Sequence, residues 1–159
     1  MAHYDMLVIG SGPAGQKAAI QAAKLGKRVG VVERKNVAGG ICINIGTIPS
    51  KSLREAVMFL SGFRQRDLYG ASYRVKHDIT LEDLTRRCDH VIKAEQEIIQ
   101  NQLIRNRVDF IVGTASFVDP HRINIEQDTA STEHTADYIV IAVGTDAAHP
   151  AEIPFDGNS

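Results

Sequence analysis

Tyr4-Asp5-Met6-Leu7-Val8-Ile9-Gly10-Ser11-Gly12-Pro13-Ala14-Gly15 is the stretch on which the fold turns. A short, mostly apolar run is followed at once by glycines, which reads as a buried strand. Pro13 suits the first turn of a helix, where its missing N–H is not needed. The helix then runs through Ala14, Ala18, Ala19, Ala22 and Ala23 to Gly26, a helix stop. So many alanines let it lie close against a sheet. Arg28–Glu33 is a second strand, Val-rich and expected to be buried on both faces. Strand, helix and strand predict a parallel pair joined by the helix, the start of an α/β fold.

Beyond this unit, Lys35–Gly40 is a glycine-containing loop. The chain turns helical near Cys42, and Pro49 should bend or restart that helix, which continues through Leu53, Ala56, Val57 and Leu60. Residues 62–78 read as irregular. A long amphipathic helix follows from Leu81 to about Asn106. Its apolar face is Leu84, Cys88, Val91, Ile92, Ile98, Ile99 and Leu103, with Glu95 interrupting, and Cys88 reads as a core residue. Val108–Val112, Ala115–Val118, Arg122–Ile125 and Tyr138–Val143 read as strands, with Asp119-Pro120-His121 as a hairpin turn. The Ala115–Ile125 region should form a small β-rich flap. Residues 126–136 read as a polar loop, and from Asp146 the composition is that of an exit linker.

The chain has 159 residues, 43% hydrophobic and 23% charged, the balance of one globular domain with a proper core. A formal charge of −1 gives no electrostatic case for nucleic acid or an anionic membrane as partner. Cys42 and Cys88 are the two cysteines, which is not a disulfide framework, and the six histidines show no metal-ligand spacing. The first apolar run is too short for a signal or a membrane span, so a cytoplasmic setting is expected and no metal is.

Gly10-Ser11-Gly12-Pro13-Ala14-Gly15 fits G-x-G-x-x-G between a strand and a helix. The first glycine makes the tight turn, the second lets the backbone approach a pyrophosphate, and the third lets helix and strand pack. The helix N-terminus offers unpaired N–H groups and a positive dipole end to the phosphates. Glu33, at the end of the second strand, stands where a carboxylate accepts adenosine ribose hydroxyls. The motif does not separate FAD from NAD, but Glu33 would repel a 2′-phosphate here.

Gly39-Gly40-Ile41-Cys42-Ile43-Asn44-Ile45-Gly46-Thr47-Ile48-Pro49-Ser50-Lys51 closely resembles the redox segment of the pyridine nucleotide-disulfide oxidoreductases, in which a cysteine pair precedes Pro-Ser-Lys. Ala136–Thr145 is similar to that family's second FAD-domain signature. The resemblance covers essentially the whole chain. It implies a Rossmann-like FAD-binding domain, a parallel sheet flanked by helices, incomplete here. Residues 1–145 would be the N-terminal segment of a split FAD-binding domain, and 146–159 an exit linker toward a missing NAD(P)-binding domain. Ala147 stands where the family usually has proline. Relatives of full length dimerise, so a homodimer is expected of a longer protein, with the present fragment inactive alone.

One departure decides the chemistry. Cys42 matches the family's first redox cysteine, but Thr47 replaces the second. A dithiol shuttle needs two sulfurs, and threonine cannot serve as one. Within the family, this pattern and the run Gly46–Lys51 resemble the soluble transhydrogenase branch, which moves hydride between NADPH and NAD through FAD. NAD(H) and NADP(H) are then the expected substrates. The alternatives left open are a dihydrolipoamide dehydrogenase-like reductase with altered cysteines, and a non-catalytic dinucleotide-binding module.

By the same resemblance, Gly10, Gly12, Pro13, Ala14 and Gly15 hold the FAD pyrophosphate, with Glu33 and the adjacent Arg34 at the adenosine ribose. Gly40, Ile41, Cys42 and Thr47 line the flavin side. Lys51 would sit near flavin N5, where a cation stabilises negative charge. Lys51 and Cys42 are thus the catalytic candidates, Cys42 being either a reactive thiol or a buried vestige. Ala115, Ala142 and Gly144 are candidates near the adenine and the chain crossing.

Overall fold

Six strands and five helices follow one another in a computed structural model that describes residues 1–146, 148–150 and 152. Strand β1 (Ala2–Ile9), helix α1 (Pro13–Lys24) and strand β2 (Val29–Glu33) form the opening unit. As the alternation of apolar runs and glycines predicts, β1 and β2 are parallel neighbours, with Leu7 opposite Gly30 and Ile9 opposite Val32. The α1 helix stops where Gly26 takes up a φ of +78°. Next come α2 (Gly40–Asn44), α3 (Thr47–Leu60), a single 3-10 turn (Phe63–Gln65), α4 (Arg66–Tyr69) and α5 (Leu81–Arg105). Pro49 restarts the helix: it lies in the first turn of α3, where no N–H is missed. Strands β3 (Asp109–Val112), β4 (Thr114–Asp119), β5 (Arg122–Glu126) and β6 (Ser131–Ile141) complete the fold.

The sheet order is β3-β2-β1-β6-β5-β4. The first four run parallel, and β5 joins β6 and β4 antiparallel. The hairpin turn at Asp119–His121 is closed by the His121 N–H on the Asp119 carboxylate at 2.9 Å.

Each face of the sheet has its own core. On one, Val8, Val29 and Val31 pack under Ala19, Ile20 and Ala22 of α1 and under Ile99 and Leu103 of α5. On the other, Tyr4, Leu7 and Val32 pack under Ile123 and Ile125 of β5. Successive strand residues face opposite ways, so the Val-Val pair of β2 feeds both cores. Ile123 and Ile125 are fully buried, each contributing about 1.5–3 kcal/mol relative to exposure.

Three expectations need correction. Residues 131–136, expected as part of a polar loop, begin β6: 131–135 pair antiparallel with β5 on one edge, while the strand from 134 to 141 pairs parallel with β1 on the other. Their polarity reflects exposure of this end of the strand, not the lack of a ladder. The flap is therefore continuous with the main sheet through β6. Within 62–78, expected to be irregular, the 3-10 turn and α4 form short helical pieces. Ile98 is 48% exposed and outside the buried face of α5, because the helix turns Cys88, Ile99 and Leu103 inward instead. Of the stretch read as an exit linker, residues 147, 151 and 153–159 lie outside the described residues.

The N-terminus of α5 carries a full capping box: Thr80 Oγ1 accepts the Asp83 N–H, and the Asp83 carboxylate accepts the Thr80 N–H. Lys76 closes on the same carboxylate at 2.5 Å, and with the Thr80 donors holds it well below the usual carboxylate range. This clasp returns the 62–80 excursion to the core helix.

Candidate functional site

The glycine turn between β1 and α1 is built by three close backbone approaches. Gly10 has φ +103°, and its N–H donates to the Val32 carbonyl at 2.8 Å. A Cβ on Gly10 would overlap the Ala142 carbonyl oxygen, and one on Gly15 would overlap the Gly10 carbonyl oxygen. Gly12 differs: its φ is ordinary at −64°, and a Cβ there would meet nothing within 4 Å. The space above Gly12 is thus open, as the approach of a pyrophosphate requires. Gly12 is the N-cap of α1 without a side-chain acceptor, and the first turn holds no acid. The first N–H groups of the helix and its positive dipole end are left for an anion. Pro13 and Ala14 stand exposed in that first turn.

Glu33 reaches back to this turn. Its Oε2 accepts both the Ser11 N–H at 2.9 Å and the Ser11 hydroxyl at 2.6 Å, and its Oε1 accepts the Lys35 N–H at 3.2 Å. Burial pushes this carboxyl up, but the Ser11 hydroxyl and the N–H groups of Ser11, Lys35 and Arg34 outweigh it and hold it below the ordinary range. The group is therefore an anion and an acceptor at neutral pH. The Arg34 side chain is exposed beside it.

The next segment is pinned onto the turn. The Gly39 N–H donates to the Ser11 carbonyl at 3.1 Å. Gly40, with φ +61°, lies so near Gly12 that a Cβ would come within 2.8 Å of the Gly12 Cα. Helix α2 thus starts against the glycine turn and carries Ile41, which is exposed, and Cys42, which is half-buried. Thr47 and Lys51 are exposed on the first turns of α3. Ala142 abuts Gly10 through its backbone, and its N–H donates to the Ile9 carbonyl at 2.8 Å. Gly144 is exposed with φ +78°, and Ala115 is half-buried against the flap-side core. The structure therefore gathers Gly10, Gly12, Gly15, Glu33, Gly40 and Ala142 around one turn. Thr47, Lys51 and Ala115 lie on neighbouring elements.

Four further residues organise the turn. Ser11 holds Glu33, and buried Gln16 donates from Nε2 to the Ser11 carbonyl at 2.6 Å. Asn44 donates from Nδ2 to the carbonyls of Gly40 (2.9 Å) and Ala38 (3.3 Å) and accepts from Gln96 Nε2 at 2.6 Å. Ser11 and Asn44 stand inside the quoted motifs as variable positions. Gln96, one step from Glu95, is the polar residue that α5 turns toward this segment. A Gln96→Leu protein should lose about 1–3 kcal/mol of stability, because Asn44 Oδ1 is left without its donor. Thermal unfolding checks this, and a melting temperature equal to that of the unaltered protein would remove the tie from the scheme.

Cys88 is buried, with its Sγ 3.5 Å from the carbonyls of Pro49 and Leu84, in keeping with a core role. A groove of about 780 Å³ lies between α1 and α5, lined by Lys17, Gln21, Lys24, Gln102 and Arg105. It is at the far end of α1 from the glycine turn, and Lys24 and Arg105 there complement the negative ends of the two helices. Among the described residues, no cluster of three or more His, Cys, Asp or Glu could hold a metal, and no helix is long and apolar enough to cross a membrane.

Comparison with known proteins agrees with this fold. The sequence pattern of the pyridine nucleotide-disulphide oxidoreductases matches residues 4–159. A soluble pyridine nucleotide transhydrogenase of Mycobacterium bovis is 58% identical over 98% of this chain and 34% of its own length. One from Pectobacterium atrosepticum is 40% identical over 96% of this chain and 33% of its own length. Among solved structures, the Cu(II) complex of the HOCl-induced flavoprotein disulfide reductase RclA from Escherichia coli superposes with a TM-score of 0.79 at 27% identity, over all of this chain and 32% of that one. The chain thus spans about a third of the length of the curated relatives it matches. These likenesses bear out FAD as the cofactor.

Proposed function

The chain belongs to the pyridine nucleotide-disulphide oxidoreductase family, and from that premise we propose that it is the FAD-binding part of a flavoprotein that passes hydride between NADPH and NAD. Residues 1–145 are read as the first segment of a split FAD-binding domain, and 146–159 as the lead into a nicotinamide-binding domain. The observation that carries the reading is the open phosphate turn, with the Glu33 anion on one side and the Cys42 helix pinned to the other through Gly40 and Gly12.

In this reading the α1 N-terminus and the Gly12 backbone hold the pyrophosphate, and Glu33 accepts from the adenosine ribose. Ile41 and Cys42 would line the flavin side, since α2 begins at the turn. Lys51 would offer a cation to the negative charge of a reduced flavin bound there. Bound there, FAD supplies the relay between two nicotinamides. Thr47 has no sulfur to offer Cys42, and Cys88 is committed to the core, so no cysteine pair is needed or invoked. The name of the Escherichia coli neighbour speaks of a disulfide reductase, and that chemistry is not carried over to Thr47. The same reading makes NAD(H) and NADP(H) the substrates of the longer protein, the cytoplasm its compartment and a homodimer its assembled form.

The test is the absorption spectrum of the purified full-length protein during anaerobic titration. A flavin band bleached by NADPH and restored by NAD is the expected result. A colourless protein, or a band that neither nucleotide bleaches, would overturn the reading.

A further inference from the structure

We propose that Ser11 is a positioning residue for the ribose acceptor: it grips one oxygen of the Glu33 carboxylate and so presents the other to the nucleotide. This rests on the proposed FAD reading of the site. Ser11 occupies the variable place between the first two glycines and is fully buried. Its own polar groups are all engaged inside the protein. The hydroxyl and the N–H both donate to Oε2 of Glu33, and the carbonyl accepts from the Gly39 N–H and from Gln16 Nε2. The hydroxyl is thus spent on the carboxylate and is not a ligand contact.

The two carboxylate oxygens are left unequal. Oε2 already takes two donors, one of them a short hydroxyl bond. Oε1 takes only the longer bond from the Lys35 N–H at 3.2 Å, with the Arg34 N–H also close to the carboxylate. An ionised oxygen accepts more than one bond, so Oε1 is the one with capacity for a ribose hydroxyl. Rotation of a glutamate carboxylate about its last torsion is ordinarily broad. Two donors from one buried residue remove that freedom before the ligand arrives, and preorganisation of this kind lowers the cost of binding. Gln16 and Gly39 hold the Ser11 backbone in turn, so the grip on Glu33 is set by the same turn that receives the pyrophosphate.

The experiment is a double-mutant cycle on FAD binding by the full-length apoprotein, followed by quenching of flavin fluorescence. It compares Ser11→Ala, Glu33→Ala and the double variant. Ser11→Ala should weaken FAD by about tenfold, the loss of one hydrogen bond to a charged group. In the Glu33→Ala background the same change should do nothing, because there is no carboxylate left to position. Additive losses would mean that Ser11 matters only for the shape of the turn, and would overturn the proposal. So would an unchanged affinity in Ser11→Ala when Glu33→Ala binds weakly. An unaltered affinity in Glu33→Ala would instead defeat the ribose reading of Glu33 itself, and the role of Ser11 with it.

Discussion

A Gly10→Ala protein should be strongly destabilised, whereas a Gly12→Ala protein should fold normally and fail to hold FAD. The two positions lie two residues apart in one motif, and the structure gives them opposite reasons for being glycine. At Gly10 the backbone has φ +103°, which costs a side-chain-bearing residue about 1–3 kcal/mol. The added methyl would also overlap the Ala142 carbonyl oxygen, and overpacking costs about 1–3 kcal/mol more. The sum, about 2–6 kcal/mol, is a large share of the stability of an ordinary domain, about 5–15 kcal/mol. At Gly12 the φ is −64° and the methyl enters open space, so the fold loses little. In the proposed reading that open space is where the pyrophosphate comes closest. Thermal melts and flavin content separate the two. Equal losses of stability in both variants would contradict the division of roles.

Glu33→Ala should lower FAD affinity by one to two orders of magnitude, as expected for removing a charged acceptor worth about 1.5–3 kcal/mol. It should also destabilise the apoprotein, because the buried hydroxyl of Ser11 loses its acceptor. The pH dependence follows from the depressed ionisation of Glu33. The stabilisation from this carboxylate is complete above the ordinary glutamate value of about 4.3 and is lost as pH falls through the lower value it has in the fold. FAD retention should therefore be flat from neutral to mildly acid pH and decline only below that. Equilibrium binding across pH measures both effects. A decline that begins near pH 6 would mean another group holds the ribose.

The β1-α1-β2 unit was legible because three local signals agree: an apolar run, glycines at fixed offsets, and a helix rich in alanine. The doubled burial of β2 followed from its Val-rich run. The start of β6 was not legible, since Ser131–Thr135 is polar on both faces and its partners, β1 and β5, are remote in sequence. Periodicity speaks for burial, and an exposed ladder leaves no such trace. Within the site, the glycines and Glu33 could be read from spacing because their chemistry is that of the backbone turn. Ser11, Asn44 and Gln96 could not. Each acts through a partner 22 or 52 residues away, which only the folded chain brings within 3 Å. Ile98 was misplaced because three- and four-residue steps permit two adjacent stripes on α5, and packing against α1 and α3 selects one.

The proposed passage of hydride between two nicotinamides without a redox disulfide is tested most directly at Cys42. Thr47 leaves Cys42 with no neighbouring sulfur in its segment, and α2 places it beside the glycine turn only as a half-buried side chain. The measurement is NADPH-to-NAD hydride transfer by the full-length Cys42→Ser protein with its flavin content determined in the same sample. Retention of most of the activity at full flavin occupancy is the expected result. Complete loss of transfer with FAD still bound would give Cys42 an essential chemical role and contradict the direct relay.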